Sequence, residues 1–99
     1  MAQLVKRVTL AGSEEPVEFT GYLVSKFLVK NFSEGDIYAS LETPLVEDES
    51  IKIASNMYQV VFNNEDMRWN GAKEYDTIYL SGSGEVEIDV LCYREHPNA

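Results

Sequence analysis

The sequence predicts an all-β domain, an antiparallel β-sandwich or small barrel of about seven strands with no long helix. Three observations carry this. Apolar and polar residues alternate with a period of two along most of the chain, the mark of a strand with one buried face. The alternating runs are short and divided by glycine, proline, serine and asparagine. Nothing between them is long and periodic enough to be a crossover helix, so neighbouring strands are expected to run antiparallel.

Leu4 to Leu10 (LVKRVTL) is rich in β-branched residues, stops at Ala11-Gly12-Ser13, and reads as the first strand. Glu14-Glu15-Pro16 is a polar break, and Val17 to Thr20 resumes extended structure before Gly21. In Tyr22 to Phe32 (YLVSKFLVKNF), strict alternation puts Leu23, Ser25, Phe27 and Val29 on one face and Val24, Lys26, Leu28 and Lys30 on the other. Apolar residues therefore spill onto both faces. Taken alone the run also fits a helix, but Asn31 and Ser33-Glu34-Gly35-Asp36 follow it as a hairpin turn would, which favours a strand.

Ile37 to Glu42 (IYASLE) turns Ile37, Ala39 and Leu41 inward and Tyr38, Ser40 and Glu42 outward, and is expected to pair with the strand before it. Thr43-Pro44 begins a turn, and Glu47-Asp48-Glu49-Ser50 reads as a solvated acidic loop. Ser50 to Ser55 points Ile51 and Ile53 inward, Asn56 turns the chain, and Met57 to Asn63 (MYQVVFN) offers Tyr58, Val60 and Phe62 as its more apolar, core-facing side. Asn63 to Tyr75 has no clear period. It is expected to form either one turn of helix over Glu65 to Trp69 or an extended loop with Met67, Arg68 and Trp69 at its tip.

From Asp76 to Tyr93, Ile78 and Leu80 alternate with Thr77 and Tyr79; past Ser81-Gly82-Ser83-Gly84, Val86, Ile88, Val90 and Cys92 alternate with Glu85, Glu87, Asp89 and Leu91. The two glycines suit a tight turn, so the runs are expected to close as an antiparallel hairpin. A slip of one residue would bury three carboxylates, which pins the register. Glu85, Glu87 and Asp89, spaced at roughly 7 Å by the strand rise, then form a solvent face. Glu95 to Ala99 is polar, contains Pro97, and is expected to fray.

Ninety-nine residues suffice for one domain, residues 1–99, with a single core. Seventeen acidic against eight basic side chains give a net charge of −9. That field repels phosphate backbones and anionic lipids, so neither nucleic acid nor a membrane is expected as a partner. No apolar run approaches the roughly 20 residues of a membrane span, and MAQLVKRVTL lacks a signal-peptide core, so folding inside the cell is expected. The single cysteine, Cys92, falls in phase with Val86, Ile88 and Val90 and reads as a small buried hydrophobe.

Catalytic patterns are sparse. The only histidine, His96, lies in the polar tail, which leaves a nucleophile-histidine-acid arrangement without a fixed base. One histidine and one cysteine fall short of a zinc set, and Glu47-Asp48-Glu49 and Glu65-Asp66 lack the spacing and glycine of a calcium loop. Gly82-Ser83-Gly84 lacks the helix and lysine of a phosphate cradle. The expectation is a protein that is not an enzyme and has no cofactor, metal or catalytic residue. Its work is then done by surfaces, for which Val24, Leu28, Tyr38, Met67, Arg68, Trp69 and Tyr79 are the candidates.

Three stretches, FLVKNFSEGDIYASLE, ESIKIASNMYQVVFNN and YDTIYLSGSGEVEIDVL, together resemble small structural proteins encoded among the virion genes of tailed bacteriophages and prophages of Gram-positive bacteria. The likeness covers residues 22 to 91. It implies a virion or assembly component, such as a head-decoration, head-fibre or head-tail connector protein, found in the virion or the host cytoplasm. Such a protein would self-associate as a homo-oligomer and dock to a phage capsid or tail protein. Two further classes fit the residues. Tyr38, Tyr79 and Trp69 on one face would suit a carbohydrate-binding module, and carboxylates at phosphate-like spacing would suit an acidic inhibitor that mimics DNA.

Overall fold

The period-two runs become eight strands in the computed structural model, which describes residues 4–62 and 74–95. They are β1 (Val5–Ala11), β2 (Glu15–Glu18), β3 (Tyr22–Asn31), β4 (Ile37–Ser40), β5 (Ile51–Ile53), β6 (Tyr58–Val61), β7 (Thr77–Ser81) and β8 (Ser83–Glu95). A 3-10 turn covers Glu47–Glu49 in the acidic loop. Two four-stranded sheets result, one in the order β1-β8-β3-β6 and the other β2-β7-β4-β5, and every pairing is antiparallel. The sandwich architecture is as expected, with eight strands in place of about seven. The additional strand is β2, which starts inside the supposed break, Pro16 being tolerated because β2 is an edge strand.

The connectivity departs further from expectation. Among consecutive strands only β4 and β5 share a sheet. Neither β3 with β4 nor β7 with β8 forms a hairpin, and β5 and β6 also lie in different sheets. The reason is visible at Gly82. The chain leaves β7, turns through this one residue at φ 141°, and enters β8 in the opposite sheet. A Cβ at Gly82 would run into the Ile37 side chain, and one at Gly84 (φ 119°) into Ser33. These glycines permit a corner packed against the β3–β4 connection, where sequence spacing alone suggested a turn between paired strands.

The core between the sheets is built from Phe19, Phe27, Ile37, Ile53, Ile78, Leu80, Val86 and Ile88, all under 4% exposed, and smaller neighbours. Phe19 and Phe27 meet at 5.8 Å between ring centroids. Asn31, at 1% exposed, is the most deeply buried polar residue among those described, and it is fully engaged. Its Nδ2 donates to the carbonyls of Gly35 (2.8 Å) and Ile53 (2.9 Å), and its Oδ1 accepts from the Ser33 N–H at 2.8 Å. Because Asn31 sits in β3 and Ile53 in β5, this side chain ties one sheet to the other.

Two bulges in the β3–β8 pair correct the phase of both strands. The register runs Val24↔Tyr93, Lys26↔Cys92, Phe27↔Val90, so Ser25 and Leu91 are each an extra residue. Strict alternation placed Val24 on the surface with Leu28; the bulge at Ser25 turns it into the core at 0% exposure. Alternation likewise placed Cys92 inside with Ile88; the bulge at Leu91 turns it out, and the thiol is exposed. In β6 it is Val61, 1% exposed, that faces the core, while Tyr58 is 69% and Phe62 36% exposed, the reverse of the expected face. β6 takes its phase from β3, where Phe27 is the partner of Val61.

Candidate interaction surface

The outer face of the β1-β8-β3-β6 sheet is organised in cross-strand rows. Arg7, Glu87, Lys30 and Tyr58 are register partners across all four strands, and Val5, Asp89, Leu28 and Val60 form the next row. On the β1 side the rows are ionic. Arg7 Nε donates to Glu87 Oε1 at 2.9 Å, and Lys30 Nζ lies 3.1 Å from both Glu87 Oε2 and Asp89 Oδ2. The Arg7 guanidinium and then the Lys30 ammonium hold the Glu87 carboxyl down at about 2. Glu87 is therefore a buried member of an ion-pair network, 8% exposed, and only Glu85 keeps the solvent position expected of all three acids.

On the β6 side the same rows end in apolar side chains. Met57, just before the strand, is 57% exposed, and together with Tyr58, and with Phe62 just after the strand, it gives this flank three exposed large hydrophobes. Lys26 reaches back over the Phe62 ring, 5.5 Å from its centroid. Between β6 and the other sheet a cleft of about 430 Å³ opens, lined by Leu41, Ile51, Val61, Phe62 and Tyr75 together with Glu42 and Glu49. The opposite flank, where β1 lies over β2, is bridged: the Lys6 ammonium sits 5.1 Å from the Phe19 ring centroid and donates to the Glu18 carbonyl.

The surface residues expected from sequence fall in separate places. Leu28 is half-buried in the outer row between Asp89 and Val60. Tyr38 and Tyr79 are half-buried on the outer face of the other sheet, diagonal to one another because Tyr38 pairs with Ser81 and Ser40 with Tyr79. Val24 is in the core, and Met67, Arg68 and Trp69 lie outside the described residues, as do His96 and most of the polar tail. Sequence reasoning missed the exposure of Met57, Tyr58 and Phe62. The signal was present: MYQVVF, like YLVSKFLVKNF before it, carries large apolar side chains on both faces, and one of the two sets must lie outside the core.

Among the described residues, no group of three or more histidine, cysteine, aspartate or glutamate side chains is placed to hold a metal ion, and no helix is long and apolar enough to cross a membrane. Comparison of the chain with protein-family models, with curated proteins and with solved structures finds no match.

Proposed function

We propose that the chain is a non-enzymatic structural protein of a tailed phage or prophage, a head-decoration, head-fibre or connector-region component that self-associates and docks to a virion protein. The observation that carries this reading is the β6 flank, a sheet edge with exposed Met57, Tyr58 and Phe62 on a chain that otherwise carries a net charge of −9. Surface apolar groups gathered on an open edge serve contact with another polypeptide. The resemblance of residues 22 to 91 to small virion proteins supplies the class of partner. The test is co-sedimentation of the purified chain with capsids and tails assembled from the genome that encodes it. Saturable binding to one of these particles is expected. Absence of binding to any of them, with the gene lying outside a virion cluster, overturns the reading.

A carbohydrate-binding role is the second reading, favoured by Tyr38 and Tyr79 on one sheet face and by the cleft beside Tyr75. Binding on a glycan array that is lost in Tyr38→Ala or Tyr79→Ala would promote it over the first.

A further inference from the structure

We infer that two copies of this chain join through their β6 edges as antiparallel strands, with Gln59 of one copy facing Gln59 of the other across a two-fold axis perpendicular to the sheet. The inference rests on the self-association half of the proposed function and specifies where and in what register it occurs.

Main-chain geometry comes first. The Asn31 N–H donates to the Met57 carbonyl at 2.9 Å, so Met57 directs its carbonyl toward β3, while its N–H closes the preceding turn on Ala54. In an antiparallel ladder this orientation alternates. Gln59 and Val61 therefore also face β3, and Tyr58 and Val60 present their N–H and C=O groups to the open side. No other strand among the described residues pairs with β6. An edge of this kind is a template for a further strand.

Charge selects the occupant. Among the described residues the sandwich has four edge strands, and three of them carry ionic residues or proline: Lys6 and Arg7 in β1, Glu15, Pro16 and Glu18 in β2, and Lys52 in β5. Residues 57–62, MYQVVF, contain no charge at all. Two copies of a chain with net charge −9 repel over most of their surfaces, and the uncharged edge is where they approach at least electrostatic cost. The same edge holds exposed Met57 and Tyr58 to bury.

Register follows from matching free groups to free groups. Pairing Tyr58 of each copy with Val60 of the other forms four main-chain hydrogen bonds within β6 and leaves Gln59 opposite Gln59 as a close, non-hydrogen-bonded pair. A perpendicular two-fold axis keeps both outer faces on the same side, so each Tyr58 ring lies over the other copy's Val60. The result is one continuous eight-stranded sheet across two sandwiches. Raising ionic strength should tighten this association, because salt screens the net repulsion while the edge itself is uncharged.

The test uses the full chain. In a Cys92→Ser background, Gln59→Cys should form a covalent dimer under mild oxidation, since the Cα separation of about 4.5 Å in such a pair is within disulfide reach. Sedimentation should show a reversible dimer that Tyr58→Glu weakens at least tenfold and that Thr9→Glu, an equal charge change on exposed β1, leaves within twofold. Tyr58 is exposed, so its substitution does not burden folding, and circular dichroism checks this. A dimer indifferent to Tyr58→Glu, with no Gln59→Cys cross-link, overturns the edge pairing while leaving self-association intact. A monomer up to the solubility limit overturns self-association as well, and leaves docking to a virion protein to be judged by co-sedimentation.

Discussion

The two flanks of the sandwich each bring together one edge strand from either sheet, and they end differently. Where β1 lies over β2, Lys6 points inward, spans the gap over the Phe19 ring and caps the Glu18 carbonyl. An inward-pointing charge at an edge blocks strand addition, and here its aliphatic stem also covers the core. Where β6 lies near β5, the cleft is open and its outer strand is uncharged. The contrast teaches that one flank is closed by its own side chains and the other is left open; if the open flank serves contact as proposed, substitutions at the two should separate.

The largest effect is expected from Phe19→Ala. Phe19 is 3% exposed and packs on Phe27, and its removal should cost about 3–5 kcal/mol in equilibrium denaturation. Asn31→Ala follows at about 2–4 kcal/mol, because the Gly35 and Ile53 carbonyls lose their partner in a buried site. This variant sharpens the comparison, since Asn31 is the tie that keeps β5 near β3 beside the open flank, and faster hydrogen exchange there should accompany the loss.

Acid tests the ionic rows. The folded-state pKa of Glu87 lies at about 2, below its ordinary 4.5, so the network's contribution is complete above about 4.5 and is lost as pH falls toward 2. Denaturation midpoints measured down that limb should fall in the native chain. Glu87→Gln should start lower and decline less steeply over the same window. The smallest change is expected on the open flank. Phe62→Ala, at a position 36% exposed, should cost less than about 1 kcal/mol while weakening association. A Phe62 variant as damaging as the Phe19 one would erase the distinction between flanks.

Fold class and most strands were legible because period-two alternation is a local property, and each run from Val5 to Glu95 carries it. Pairing was not, because a glycine corner and a hairpin turn use the same residues. Gly82 and Gly84 reveal which they are only through Ile37 and Ser33, which approach them from 45 or more positions earlier in the chain. The bulges at Ser25 and Leu91 are equally silent in sequence, each shifting the phase of everything beyond it. Their consequence is testable at Cys92, whose exposed thiol should react with a disulfide reagent without denaturant, where a buried one would wait for unfolding. The candidate interaction surface was legible least. Its exposed side chains, Met57, Tyr58 and Phe62, carry ordinary core chemistry, and only the phase β6 takes from β3 and its place at the edge of the sheet leave them exposed.

The interleaving of strands between sheets also dictates when the molecule can form on the ribosome. Among the described residues β1 has no neighbour but β8, and β2 none but β7, while β8 lies between β1 and β3 in the finished sheet. Until residues 77–95 have been synthesised, only β3 with β6 and β4 with β5 have their partners. Both halves of the sandwich are thus completed last, by the final two strands, and the uncharged β6 run emerges from the exit tunnel well before β7 and β8 are made.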